Sequence, residues 1–146
     1  ISDEHRVVLA YYLEGVEATW EGHAVRVLRP IDEGELLAIA SFSICHAHMF
    51  GPPNDEAFHG HPLASRGLRP YGAFEIKNSS WIRRLERMNS VHQYHDPESF
   101  WRRRHLVFSF HDSTFECVCD NFALRLHKGD MASAIPEAMK ALRSAG

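Results

Sequence analysis

Along this chain, apolar and polar residues alternate in twos over the first fifty positions and again around residue 105. Between and after those stretches they fall into helical spacing. Residues 5–13 are rich in Val and Tyr, Gly15 breaks the run, and Val16, Ala18 and Trp20 alternate with polar neighbours. Alternation bounded by turn residues marks a half-buried strand. Glu21-Gly22 and Asp32-Glu33-Gly34 supply turns on either side of a strand at 24–28, and the second turn opens a long apolar run over 35–50. The first segment also fits a helix, since Val8/Tyr12 and Leu9/Leu13 lie four apart.

A short strand at 73–77 leads into the clearest helix. Asn78-Ser79-Ser80 offers N-caps, with Trp81, Ile82, Leu85 and Met88 on one face and Arg83, Arg84, Glu86 and Arg87 on the other. Asp96-Pro97-Glu98 joins an N-cap to a proline at the first helical position and opens a short helix through Arg103. In 105–111, Leu106, Phe108 and Phe110 face one way, and His105, Val107, Ser109 and His111 the other. Phe115, Cys117 and Cys119 then alternate with Glu116 and Val118, and Asp120-Asn121 suits a two-residue hairpin loop that tolerates positive φ. Such a turn pairs Cys119 with Phe122, Cys117 with Leu124 and Glu116 with Arg125. Residues 131–145 read as a helix with Pro136 near a first turn and Ile135, Met139 and Leu142 on one face. The expected fold is α+β: a curved antiparallel sheet of about six or seven strands with two or three helices packed on it.

Residues 51–72 break this regularity, with four of the seven prolines and four of the nine glycines. A connection of that length inside a compact domain is usually a functional loop. Phe58, Leu63, Leu68 and Tyr71 give it apolar side chains to pack with. At 146 residues and 45% hydrophobic content, the chain is expected to form a single domain, 1–146.

Charge changes the picture little overall and more locally. The net charge is −3, which argues against a general nucleic-acid binder. Yet residues 66–104 hold nine bases against four acids, and 13 of the 16 basic residues are Arg, the better side chain for bidentate recognition of carboxylate or phosphate. The run VHQYHDPESFWRRR (91–104) concentrates aromatics and arginines. No apolar stretch reaches a membrane span. The first residues, Ile1-Ser2-Asp3-Glu4, lack the layout of a signal peptide, and the chain does not open on Met, so its native start is expected to be missing. Three cysteines without framework spacing suggest buried thiols in a reducing cytosol, and a cytoplasmic location is expected.

Candidate chemistry centres on CHAHMFGPPNDEAFHGH, residues 45–61, with four histidines in the sixteen positions from 46 to 61. His46 and His48 share a strand face in line with Phe42 and Ile44, a sound geometry for a divalent metal, zinc foremost. His59 and His61 would add ligands from the loop. Asp55, on a helical turn capped by Asn54 and stopped by Gly60, would hydrogen-bond and orient His59, with Glu56 beside it. His111, Asp112 and Glu116 form a possible acid–base group, and Arg66, Arg69 or Arg104 could hold an anionic group. There is no nucleophile elbow, no Walker or dinucleotide glycine spacing and no paired C-x-x-C.

The leading expectation is therefore a small intracellular enzyme with a His-rich, metal-dependent site, hydrolysing or transferring protons on a small polar or anionic substrate. A second reading keeps His111 and Glu116 and drops the metal. The alternative is a non-catalytic domain that binds a ligand or partner through 51–72. A homo-oligomer is compatible with each.

Overall fold

The computed structural model describes residues 1–13 and 34–144. Five strands and three α-helices follow in the order β1 (Arg6–Tyr12), β2 (Glu35–Gly51), β3 (Gly72–Ile76), α1 (Ser80–Asn89), α2 (Pro97–Trp101), β4 (Arg104–Ser109), β5 (Thr114–Gly129) and α3 (Met131–Ser144). The strands form one sheet in the order β1-β2-β5-β4-β3, antiparallel at β1/β2, β3/β4 and β4/β5. The α+β class holds, with five described strands where six or seven were expected. The strand and turns read at 16–28 lie outside the described residues. No helix among the described residues is long and apolar enough to cross a membrane.

The chain divides into two compact units, Ile1–Ser43 with Phe122–Gly146, and Ile44–Asn121. In the first, β1 pairs with β2 so that Val8 faces Ser41 and Tyr12 faces Leu37. One face of this pair, with Val8, Leu37 and Ile39, packs against Ala134, Ala138 and Ala141 of α3. Of the helix face expected from Ile135, Met139 and Leu142, Leu142 packs against this cluster, but alanines rather than Ile135 form its buried centre. Alanines at i, i+4 and i+7 let a helix axis approach a sheet closely, whereas Ile135 is half exposed. Pro136 sits inside α3.

In the second unit, β4 is the centre of a three-stranded group. His105 pairs with Ile76 on β3 and Val118 on β5, and Val107 pairs with Phe74 and Glu116. Paired residues share a face, so His105, Val107 and Ser109 lie with Glu116 as the alternation predicts. The 51–72 segment closes over part of this face through Phe58, Leu63 and Leu68 against Val107, Phe74 and Ile76. Helices α1 and α2 cover the rest through Ile82 and Phe100 against Val118. Leu106 and Phe108 are buried on the opposite face, whereas Phe110 lies beyond the strand end and is half-buried.

Two sequence expectations fail for local reasons. The hairpin at Asp120-Asn121 does not form: β5 runs unbroken from Thr114 to Gly129. A type I′ turn needs positive φ at both central residues, and neither has it. The pairings of Cys119 with Phe122 and Glu116 with Arg125 fall with it, and β4 is the neighbour of Cys119 and Glu116 instead. In β2, Ile44 adopts φ +51°, rare for a β-branched residue. This left-handed step breaks the alternation. Phe42 is buried while Ile44 is half exposed, so His46 and His48 do not continue the Phe42 face.

Phe115 is 2% exposed and borders Phe108, Phe50 and the ring of His48. Phe115→Ala is expected to cost about 3–5 kcal/mol in urea unfolding, as a large-to-small change in a filled core. A loss under about 1 kcal/mol would mean that this ring is not packed as described.

Candidate functional site

The most constrained polar group in the Ile44–Asn121 unit is Glu116. Its Oε1 accepts a hydrogen bond from His61 Nε2 at 2.8 Å and its Oε2 one from His105 Nε2 at 2.9 Å. Both imidazoles are buried, and the carboxylate is 13% exposed. The amide of Leu63 donates to His61 Nδ1 at 3.1 Å, which fixes the His61 proton on Nε2. On the other side, Ser79 Oγ lies 2.8 Å from His105 Nδ1 and also accepts the amide of Ile82, at 3.2 Å, as the N-cap of α1. With Ser79 Oγ accepting from Ile82, its hydroxyl proton is free to go to His105 Nδ1, and His105 then carries its own proton on Nε2. Protons thus run in one direction, from Ser79 to His105 to Glu116.

Local sequence explains each position. Asn78, at φ +53°, turns the chain sharply out of β3, and Asn tolerates this left-handed step better than most residues. Ser79 then caps α1. His105 and Glu116 come from paired strands, two positions apart in register. His61 comes from the loop, whose ring stacks on Phe58 at 5.5 Å. Burial pushes the Glu116 carboxyl upward, but the two imidazole N–H bonds outweigh it and hold the group below the usual carboxylate range.

The other predicted residues disperse. His46 Nε2 bonds Asp120 Oδ1 at 2.9 Å, and the ring of His48 lies 6.3 Å from that of Phe115. His59 is exposed at the end of a 3-10 turn, and His61 belongs to Glu116. The four histidines therefore do not converge. Among the described residues, no group of three or more His, Cys, Asp or Glu is placed to hold a metal ion. The helical turn expected over 55–59 forms only as a 3-10 turn at Phe58–Gly60 without a side-chain cap; Asn54 accepts the amide of Ala57 ahead of it, and Asp55 bonds His111 rather than His59. Asp55 Oδ2 meets His111 Nδ1 at 2.9 Å and Tyr71 Oη, and the Tyr71 and His111 rings stack at 6.4 Å. Glu56 is exposed, and Asp112 is 90% exposed with Oδ1 3.9 Å from His111 Nε2. His111 and Glu116 thus sit in two separate networks.

A cavity of about 420 Å³ adjoins Ser79. Five cations, Lys77, Arg83, Arg102, Arg103 and Arg104, line it against a single carboxylate, Glu75. Glu75 binds Lys77 at 2.9 Å and Arg104 at 3.0 Å, which lowers its own titration range and raises that of Arg104. The Arg103 guanidinium lies 3.7 Å over the Phe100 ring and 3.9 Å from Asp120, and its buried Nε has no hydrogen-bond partner among the described residues. Trp101, half exposed, forms part of the wall. Of the arginines expected to hold an anion, Arg104 lines this cavity, whereas Arg66 and Arg69 are exposed in the 51–72 segment. Three of the five cations, Arg102 to Arg104, were visible in sequence as the run WRRR, and Lys77 and Arg83 join them only in the fold. Ser79 and His105 were missed as chemistry because one read as a cap and the other as one more strand position.

Cys117 and Cys119 are buried free thiols, and burial beside Cys119 pushes Cys45 up to about 11. Comparison with protein-family models, curated proteins and solved structures finds no match to this chain.

Because the folded-state Glu116 carboxyl titrates below its unfolded value near 4.5, its stabilising contribution is present above that pH and lost as pH falls through the folded value. Glu116→Gln is expected to remove this acid sensitivity. It should also cost about 1–3 kcal/mol at neutral pH, because the amide nitrogen meets an imidazole N–H. Chemical unfolding at several pH values checks both effects. Asp55 raises the titration of His111 above its ordinary 6.5, and an NMR titration should show that elevation lost in Asp55→Asn.

Proposed function

We propose that this domain binds a small molecule bearing a carboxylate or phosphate in the cavity lined by Lys77, Arg83, Arg102, Arg103 and Arg104. The observation that carries the reading is the charge balance of that wall, five cations to one carboxylate on a chain whose net charge is −3. Side chains of one sign gathered around a concavity focus a field that concentrates counter-charged ligands. Glu75 neutralises only part of it, and arginine forks match planar oxyanions with paired hydrogen bonds. Trp101 adds an apolar plane against which the rest of the ligand can lie.

This keeps the small anionic substrate expected from sequence and relocates it. In the 51–72 segment, the alternative binding surface, Phe58, Leu63 and Leu68 pack on Val107, Phe74 and Ile76, and only Tyr71 of the four residues expected to pack is exposed. The residues proposed for a zinc site each have another partner or none of the right kind nearby, so the reading involves no metal.

Calorimetric titration with inorganic phosphate, then citrate, should show saturable binding that weakens on raising ionic strength from about 0.01 M to 0.15 M. Arg102→Ala and Arg83→Ala should each weaken it about 10-fold or more, the worth of one charge-assisted hydrogen bond. Absence of saturable binding, or binding indifferent to both variants, would overturn the proposal.

A further inference from the structure

The cationic cavity has a second kind of wall. Ser79 lines it between Asn78 and Ile82, and Ser79 is also the outer member of the Ser79–His105–Glu116 chain. We infer that Ser79 is the nucleophile of an ester-cleaving site in this cavity, with His105 as its general base and Glu116 positioning His105. The inference rests on the anion-binding reading, which supplies the substrate class: an ester of a small acid that carries a second, anionic group.

Three features converge on it. The proton order is the one a general base requires. His105 presents Nδ1 to the Ser79 hydroxyl while its Nε2–H is held by Glu116 Oε2, so the imidazole can take a proton at Nδ1 and keep its orientation. The carboxylate is largely buried and itself steadied by His61, so the imidazolium that forms has a fixed counter-charge at 2.9 Å. A helix cap needs only an accepting oxygen, which Ser79 provides to Ile82. Its hydroxyl proton is instead directed to a buried histidine held by a carboxylate, and capping does not explain that second bond.

The step balances with water as the only co-reactant. Ser79 Oγ attacks the ester carbonyl carbon, an Oγ–C bond forms, and the hydroxyl proton passes to His105 Nδ1. The amides of Ser80 and Trp81 in the first turn of α1, which have no intrahelical acceptor, would serve as donors for the tetrahedral oxyanion. Collapse breaks the bond to the leaving alcohol, which takes the proton from Nδ1. Water then attacks the acyl carbon, gives its proton to Nδ1, and Oγ departs with that proton. The ester and one water yield the acid and the alcohol, with no change of oxidation state.

The test uses p-nitrophenyl hemisuccinate and p-nitrophenyl acetate on the purified chain. A burst of p-nitrophenolate approaching one equivalent is expected, at least tenfold faster with the hemisuccinate, slowed by inorganic phosphate, with the succinyl group on the Ser79 peptide by mass spectrometry. Ser79→Asn keeps an N-cap and removes the nucleophile, so the burst and adduct should vanish from a folded protein. Glu116→Gln should cut the acylation rate about 100-fold with little change in KM, the mark of a positioning residue rather than a binding one. A wild-type protein that binds phosphate yet forms no Ser79 adduct overturns the nucleophile and leaves the anion reading standing. A burst that persists in Ser79→Asn also overturns it. Equal acylation by both esters, without phosphate binding, overturns the substrate class and the anion reading beneath it.

Discussion

A carboxylate withdrawn from water and shared by two imidazoles is the interaction on which the Ile44–Asn121 unit depends. Glu116 binds the 51–72 segment through His61, and through His105 and Ser79 it binds the start of α1. The loop, the helix cap and two strands meet in one polar chain. A largely buried anion without such partners would be expensive, whereas one with both oxygens engaged is tolerated and sets the geometry around it. Apolar contacts on either side, Phe58 and Leu68 under the loop and Ile82 and Phe100 under the helices, supply adhesion but little direction. The hydrogen bonds supply the direction.

That arrangement explains why the cationic cavity forms where it does. The segment from Glu75 to Arg83 passes from β3 through a left-handed Asn78 into α1, and Trp101 to Arg104 passes from α2 into β4. Both connections bring basic residues to one place because β3 and β4 are paired, with Ile76 opposite His105. Glu75 ties the two stretches through Lys77 and Arg104. The positive wall is thus a product of strand pairing rather than of one basic run.

Much of this was legible in the sequence. Alternation in HLVFSFH placed His105, Val107 and Ser109 on one face, and Asp96-Pro97 and Ser79 marked helix starts that the structure keeps. Arg104, at the end of the run WRRR, is one of the arginines expected from sequence to hold an anion, and it lines the cavity. Other features depended on information that local pattern does not carry. Asp120-Asn121 has the composition of a hairpin turn, yet its aspartate is used by His46, and the chain stays extended. His46 and His48 share a strand parity that matters only if the strand is regular, and Ile44 makes it irregular. His61 and Glu116 are 55 residues apart, so only tertiary packing reveals that the loop histidine belongs to the carboxylate. Periodicity identifies faces; it does not say which residue across the fold will answer a buried charge.

The sharing of Glu116 also bears on how this chain can vary. Aspartate would fall short by one methylene, glutamine would set an amide nitrogen against an imidazole N–H, and an apolar residue would strand two ring protons away from water. Changing either histidine alone leaves a carboxylate half engaged. Replacing all three together by apolar side chains of matching volume escapes these penalties. Positions 61, 105 and 116 are therefore coupled in energy: a change at any one is costly while the other two stay as they are.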